Sequence, residues 1–183
     1  MYFEKAGREN TAATLRVARD EALRRGIRHI VVASTRGDTG VRMAEMLKET
    51  GLNLVVVSHN VGFKEAGKGE FEAEKGEQIA ALGGKVLTGT MVLRNIGTAI
   101  REKHGYSQQD LIANVLRMFG QGMKVCVEIV AMAADAGLIP SEDVIAVAGT
   151  GRGADTATLI GANSSNRLFD IKIREILAKP RYF

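Results

Sequence analysis

The feature that most constrains the fold is an alternation of short β-branched runs with longer segments of helical periodicity. The runs at 28–33 (RHIVVA), 53–57 (NLVVV) and 143–148 (DVIAVA) are apolar enough to be buried on both faces of a sheet. A helical pattern over 10–25 precedes the first run, and a second helix containing Met43 and Leu47 separates the first run from the second. A strand–helix–strand unit of this length predicts parallel neighbouring strands.

The rest of the chain continues the alternation. In the tail, Phe169, Ile171 and Ile173 alternate with charged residues, which predicts a half-exposed strand at a sheet edge. The sequence therefore predicts an α/β fold, a three-layer sandwich whose mostly parallel sheet has an antiparallel edge, formed by one domain over 1–183. The remaining predicted elements are a short helix at 79–82, a strand at 85–87 and three successive helices at 91–103, 108–119 and 123–136.

Composition limits the classes of partner. Aromatic residues make up 5% of the chain and tryptophan is absent, so an extensive surface for stacking bases cannot be built. A net charge of +4 suits anionic small ligands and argues only weakly for nucleic acid. No apolar run is long enough for a membrane span, and the N-terminus lacks a signal peptide's apolar stretch. A single cysteine, Cys126, favours the reducing cytoplasm. We therefore expect a cytoplasmic protein with neither nucleic acid nor a membrane as partner.

Three polar, glycine-bearing segments follow predicted strands, at 34–40, 58–62 and 149–155. In open α/β sheets, ligands bind beyond the carboxyl ends of the strands. Because these ends meet along one edge of a parallel sheet, we expect the three segments to form one ligand site.

The first segment (STRGDTG) opens a helix, and free N–H groups at a helix start favour a phosphate. Ser34, Thr35 and Thr39 add hydroxyl groups, Arg36 adds a charge, and Gly37 allows close approach of the backbone. Asp38 does not suit an anion site, but as a helix cap its side chain would turn back to the helix. The alternative is a plain turn in which these side chains only cap the helix.

The last segment (GTGRGAD) has the glycine spacing of a dinucleotide fingerprint. The residues that follow, 156–160, favour a strand or irregular turn instead of the helix that the fingerprint requires, which argues against a dinucleotide fold. We expect a loop that contacts the ligand through Thr150, Arg152 and Asp155; the alternative is a turn capped by Asp155.

The middle segment supplies Ser58, His59 and Asn60, and we favour ligand contact over acid–base catalysis for His59 because no partner for it is visible. Glu128 and Asp135 fall on one face of an apolar helix, which we interpret as its solvent-exposed side; the alternative is that this face places a carboxylate at the site. Cys126 is interpreted as a small buried hydrophobic residue. The spacing of histidine and cysteine offers no metal site, and no catalytic residue can be assigned.

Four stretches resemble a known family: VVASTRGDTGVRMAEML, VVVSHNVGF, GQGMKVCVEIVAMAADAGLIP and VIAVAGTGRGADTATLI. They are similar to the pyruvate kinase C-terminal domain-like proteins, small chains found largely in archaea and bacteria. The resemblance implies that the turn over 34–40 corresponds to the loop that holds an effector phosphate in pyruvate kinase, with Asp38 as a departure from that loop. Since the catalytic barrel has no counterpart here, it implies no pyruvate kinase activity.

For this family the resemblance implies flavin mononucleotide (FMN) as cofactor, bound at the strand ends. Met91, Phe119 and Met123 are candidates for apolar cover of its ring. The predicted ligand contacts are Ser34, Thr35, Arg36, Gly37, Asp38, Thr39, Ser58, His59, Asn60, Thr88, Thr90, Gly149, Thr150, Gly151, Arg152 and Asp155.

Two alternatives to a flavin protein remain open. The first is a non-catalytic sensor of a sugar phosphate or nucleotide. The second is a structural or RNA-associated protein that uses the basic first helix, although a solvated helix surface explains those arginines as well. We also expect a homo-oligomer, because the segment of three helices carries more apolar surface than a small sheet covers.

Overall fold

The computed structural model describes residues 1–183. Besides its strands and α-helices, the chain has a one-turn 3-10 helix at Arg8–Asn10 and a kinked 3-10 segment at Ser165–Asp170. The strands are β1 (Tyr2–Lys5), β2 (His29–Ala33), β3 (Asn53–Ser58), β4 (Lys85–Thr88), β5 (Asp143–Ala148), β6 (Thr156–Gly161) and β7 (Lys172–Tyr182). The helices are α1 (Thr11–Arg25), α2 (Asp38–Leu47), α3 (Ala73–Ala81), α4 (Asn95–His104), α5 (Gln108–Arg117) and α6 (Gln121–Asp135).

All seven strands form one sheet in the order β1-β7-β6-β5-β2-β3-β4. Strand β6 runs antiparallel to both of its neighbours, and every other pairing is parallel. The predicted mixed sheet, mostly parallel with its antiparallel part toward one edge, is confirmed. Because β2, β3, β4 and β5 point the same way, their carboxyl ends lie along one edge of the sheet.

Helices cover both faces of the sheet. Helices α1, α2 and α3 pack on one face around Leu15, Met43 and Ile79, and α6 packs on the other through Cys126 and Val130. Neighbouring residues of β2 and β3 alternate between these two cores, as expected for strands buried on both sides. The predicted three-layer sandwich is confirmed, and Cys126 is fully buried as predicted.

Three details differ from the sequence predictions. The N-terminal residues form β1, which was not predicted, and Phe3 pairs with Pro180 of β7. The tail strand β7 therefore lies one strand in from the edge, and Phe169 belongs to the preceding 3-10 helix. Helix α3 begins at Ala73, earlier than predicted, because charged residues in its first turns hide its apolar periodicity.

Helices α4 and α5 leave much apolar surface exposed. Each buries a single residue, Gly97 in α4 and Ala113 in α5. The expected self-association remains a prediction, and this surface is where it would be sought. The exposed apolar side chains here are Ile96, Ile100, Tyr106, Leu111, Val115, Met118 and Phe119.

None of the helices is both long enough and apolar enough to pass through a lipid bilayer.

Candidate functional site

The three predicted segments meet at one cleft. It has a volume of about 860 Å³ and lies where β2, β3 and β5 end. This size falls within the range of small-molecule sites. Nine of the predicted contacts line it: Ser34, Thr35, Arg36, Asp38, Thr39, His59, Gly149, Gly151 and Arg152.

The turn between β2 and α2 is held in place by Ser34 and Gly37. The buried Ser34 accepts a hydrogen bond from Gly40 N (3.2 Å), and its own N–H donates to Val57 O (2.9 Å) in the next strand. Gly37 caps α2 with a φ of 105°, in the left-handed region that favours glycine. A Cβ on Gly37 would lie 2.6 Å from Lys75 Cβ, so a larger residue does not fit there.

This turn borders the cleft and has free backbone donors. The N–H groups of Thr35, Arg36, Gly37 and Thr39 donate to no acceptor within the chain, whereas Gly40 N donates to Ser34 Oγ. The positive end of the α2 dipole adds to their effect. Successive free N–H groups at a helix start are the usual setting for a bound anion, and binding of an anion by this turn stays a prediction.

The carboxylate of Asp38 does not cap α2. It forms an ion pair with Lys75 Nζ on α3 (2.7 Å), and Lys75 also contacts Glu72 (2.8 Å). The hydrogen bond from Lys75 holds the pKa of Asp38 below its ordinary value. The one negative charge of the turn is therefore neutralised from outside it, which reduces its repulsion of an anion.

The turn between β5 and β6 forms the opposite side of the cleft. Gly151 and Gly153 both adopt positive φ, 78° and 77°. A Cβ on Gly153 would lie 2.8 Å from the Arg8 Cα, and one on Gly149 would lie 2.5 Å from Gly153 O. The glycines therefore allow this turn to pack tightly against the chain that leads into α1. The N–H groups of Gly151, Arg152 and Gly153 have no acceptor within the chain.

Asp155 is a structural anchor of that turn. It is fully buried and accepts hydrogen bonds from Gly7 N (3.2 Å), Thr150 N (3.1 Å) and Thr156 Oγ1 (2.8 Å). These are the contacts expected from the alternative in which Asp155 caps the turn. The Thr150 hydroxyl is buried without a hydrogen-bond partner, and this residue does not line the cleft.

His59 has a partner that sequence reasoning missed. Its Nδ1 lies 2.9 Å from Glu70 Oε2, and its ring packs on Phe63 with centroids 4.0 Å apart. The other Glu70 oxygen lies 2.7 Å from Lys64 Nζ. The pKa of Glu70 is lowered by the hydrogen bond from Lys64 and then by that from His59. The segment over 61–72 thus forms a wall of the cleft, fixed to the end of β3.

Cationic side chains dominate the cleft. Of its three carboxylates, Asp38 and Glu70 are paired with lysines, and Glu9 is the third. Arg94 stacks on Phe63, 4.6 Å from the ring centroid. The cleft therefore has a surplus of positive charge, and its five arginines form no ion pair within the chain: Arg8, Arg36, Arg42, Arg94 and Arg152.

A smaller side pocket of about 80 Å³ shares Ser34, Thr35, His59 and Arg94 with the cleft. Its walls include the apolar side chains of Val57, Phe63, Met91, Ile129 and Met132, together with Ser58.

A buried ion pair lies at this side pocket. Lys124 and Glu128 of α6 each have only 3% of the side chain exposed, and they bond to each other. Glu128 also accepts from Leu93 N (2.9 Å). The expectation that Glu128 faces solvent is wrong, because this pair can be buried as a unit. Asp135 does lie at the surface, where it accepts from Ser165 N (2.7 Å).

The other predicted contacts lie outside the main cleft. Ser58 borders the side pocket and hydrogen-bonds Thr88 (2.6 Å), and Asn60 accepts from Asn95 Nδ2 (2.8 Å). Thr90 is exposed and lines neither space. Of the candidates for ring cover, Met91 borders the side pocket, whereas Met123 is buried and Phe119 exposed away from both spaces.

No group of three or more His, Cys, Asp or Glu residues is placed to hold a metal ion.

The family model described as pyruvate kinase, alpha/beta domain, matches residues 12–160. The chain belongs to this family, as the sequence motifs indicated. The match includes β2 to β5 and nearly all of β6, and with them the three turns that form the cleft.

The chain is also similar to solved structures. A pyruvate kinase from Cryptosporidium parvum matches with a TM-score of 0.42 and 13% identity over 82% of this chain and 22% of that one. The same organism's pyruvate kinase in complex with ADP matches with a TM-score of 0.43 and 14% identity, over 82% of this chain and 23% of that one. An O-ureido-L-serine synthase matches with a TM-score of 0.32 and 17% identity, over 72% of this chain and 48% of that one. The chain spans less than a quarter of either kinase chain, and its 183 residues contain no catalytic barrel.

Proposed function

We propose that the protein binds a small phosphorylated ligand in the cleft, with the phosphate on the turn over 34–40, and that this ligand is FMN. The observation that carries the proposal is the run of free N–H groups from Thr35 to Thr39 at the start of α2. The unpaired guanidinium groups of Arg36 and Arg42 border the same space. Backbone donors and fixed cations together are the chemistry that phosphate binding requires.

The opposite turn supports a ligand longer than inorganic phosphate. Arg152 and the free N–H groups of Gly151 and Gly153 lie across the cleft from the phosphate turn. Hydroxyl groups of a ribityl chain can accept from these donors. The ring of the flavin would lie near Phe63 and the apolar side pocket. When bound, a flavin supplies hydride or single-electron transfer.

A second candidate, a sensor of a sugar phosphate or nucleotide, is favoured by the polarity of the cleft. Only three of its 21 lining residues are hydrophobic: Ala33, Phe63 and Val125. A highly polar ligand suits such walls better than a large fused ring does. The two candidates share the phosphate turn and differ in the group attached to the phosphate.

The test begins with an absorbance spectrum of the purified protein and of the supernatant after acid denaturation. Flavin bands that follow the protein and then appear in the supernatant would support FMN. Titration of the flavin-free protein with FMN then compares the wild type with Arg36→Ala/Thr39→Val. We expect at least a tenfold loss of affinity, whereas Arg16→Ala, which changes an exposed arginine of α1 outside the cleft, serves as the matched control.

A colourless protein that does not take up FMN would reject the flavin. The sensor would then be tested by the rise in melting temperature with a panel of sugar phosphates and nucleotides. Unchanged FMN affinity in the double variant would reject the phosphate turn itself.

A further inference from the structure

The buried pair Lys124–Glu128 has hydrogen-bonding capacity that the protein does not use. An ammonium group has three donors, and Lys124 Nζ makes one hydrogen bond, to Glu128. Its side chain is 3% exposed, so bulk water does not reach the remaining donors freely. Buried donors without an acceptor are costly, and both residues border the side pocket. An acceptor placed in that pocket would relieve this cost.

Glu128 complements Lys124 as an acceptor. One of its oxygens accepts from Leu93 N and the other from Lys124. A carboxylate oxygen has two lone pairs, so each oxygen retains capacity for a further donor. The pair therefore offers a donor and an acceptor side by side, and this pattern matches a ligand edge with a carbonyl oxygen beside an N–H.

The walls of the side pocket suit the edge of a flat ring. Met91, Ile129, Met132, Val57 and Phe63 provide apolar surface around the pair. The volume of about 80 Å³ holds a few heavy atoms and not a whole fused ring system. The body of the ring would therefore remain in the main cleft, which shares Ser34 and Thr35 of the phosphate turn with the side pocket.

We infer that the side pocket binds the carbonyl/N–H edge of a heterocycle carried by the phosphorylated ligand, with Lys124 donating to the carbonyl oxygen and Glu128 accepting from the N–H. The inference rests on the proposed phosphate site. The pyrimidine part of a flavin and a uracil base both have this edge. The shared chemistry is an imide, and the test separates the two sources.

The experiment compares four probes on the wild-type protein by calorimetric titration: FMN, N3-methyl-FMN, uridine 5′-monophosphate and N3-methyluridine 5′-monophosphate. Ribose 5-phosphate is the reference without a ring. Methylation removes the N–H that would donate a hydrogen bond to Glu128 and adds bulk in the pocket. We expect N3-methylation to weaken the ligand that binds by at least tenfold. These comparisons need no mutation.

The variant arm uses Lys124→Met/Glu128→Gln, which removes both charges and leaves an acceptor for Leu93 N. In this variant we expect the penalty of N3-methylation to be smaller than in the wild type, because the charged acceptor is gone and the bulk of the methyl group remains. Lys48→Met is the control, because Lys48 is an exposed lysine that lines neither space.

The outcomes separate the two claims. If FMN binds and N3-methyl-FMN binds equally well, the side-pocket inference is wrong and the proposed function stands. Tight binding of the uridine nucleotide alone, weakened by methylation, would support the inference and reject the flavin. If no ring-bearing phosphate binds better than ribose 5-phosphate, the inference is overturned, whether or not the turn over 34–40 binds phosphate.

Discussion

The Nδ1 atom of His59 lies 2.9 Å from Oε2 of Glu70, and this contact joins the end of β3 to the segment that walls the cleft. The same carboxylate contacts Lys64, and its side chain is only 12% exposed. Glu70 thus holds two cationic or polar groups of the wall in place. Its ionisation should therefore matter for stability.

The Glu70 contact predicts an acid-dependent loss of stability. Because the folded pKa of Glu70 lies below its ordinary value of 4.5, its contribution is fully present above pH 4.5 and is lost as the pH falls through the folded pKa. Urea unfolding of wild type and Glu70→Gln should show a stability difference at pH 6 that shrinks toward pH 3. Glu74→Gln, an exposed residue of α3 without an ion pair, is the control. A difference that does not depend on pH would contradict this.

The tight packing at Gly37 predicts that alanine is poorly tolerated there. Gly37→Ala combines a φ of 105° with a Cβ 2.6 Å from Lys75 Cβ. We expect a loss of about 1–3 kcal/mol in the free energy of unfolding, together with weaker FMN binding. Gly51→Ala, with positive φ but no atom within 4 Å of the Cβ, should lose stability only and keep the affinity. Denaturant unfolding and FMN titration of both variants decide this.

The unpaired Arg152 predicts a direct contribution to ligand affinity. Its guanidinium lines the cleft, and Arg152→Ala removes no ion pair or side-chain hydrogen bond within the chain. We expect affinity for FMN to fall by about ten- to a hundredfold, in line with the ~1.5–3 kcal/mol of a hydrogen bond to a charged group, with the melting temperature unchanged. Arg16→Ala should change neither quantity. An Arg152 variant with wild-type affinity would show that the ligand does not reach this turn.

The buried pair on α6 predicts strongly unequal effects of single and double substitution. Lys124→Met leaves Glu128 buried without its cation and should lower the free energy of unfolding by about 3–5 kcal/mol. Adding Glu128→Gln removes the uncompensated charge, so the double variant should recover much of that loss. The comparison is made by urea unfolding at neutral pH. If the double variant were less stable than Lys124→Met, the pair would not act as a buried unit.

The burial of Cys126 predicts an unreactive thiol. Burial raises its pKa to about 12, so almost no thiolate forms at neutral pH. A colorimetric thiol reagent should react with the native protein only on the timescale of unfolding, and rapidly in 6 M guanidinium, where ~6 M exceeds the unfolding midpoint of ordinary domains. Rapid reaction of the native protein at pH 7.5 would contradict the buried position.

Local pattern predicted the central part of the fold. The apolar runs of β2, β3 and β5 are short, β-branched and bounded by glycine-bearing turns, so their period and ends are visible in the sequence. The convergence of the three turns followed from parallel strands. The free N–H groups of the 34–40 turn followed from a polar strand-to-helix turn, since helix starts leave donors unpaired.

Contacts distant in sequence could not be predicted in this way. Strand β1 has only four residues and is defined by its pairing with β7, as between Tyr2 and Lys179. Glu70 reaches His59 across a loop that carries no periodicity. Arg8, Arg42 and Arg94 enter the cleft from separate parts of the chain. Their roles depend on tertiary positions that no short motif encodes.

The pair Lys124–Glu128 did carry a signal in the sequence. Two opposite charges at i and i+4 in an otherwise apolar helix can neutralise each other and be buried together. Glu128 was instead grouped with Asp135, two turns further on, and interpreted as solvent-exposed. The apolar residues on both sides of Glu128, Val127 and Ile129, are the feature that should have favoured burial.

The account depends most on the phosphate turn, and the most direct measurement is a ¹H–¹⁵N NMR titration that observes its amides. With FMN we predict large shifts for the free N–H groups of Thr35, Arg36, Gly37 and Thr39. Riboflavin, which lacks the phosphate, should shift them far less at equal saturation. Amides that stay unchanged while FMN binds, or that respond equally to riboflavin, would contradict the placement of the phosphate on this turn.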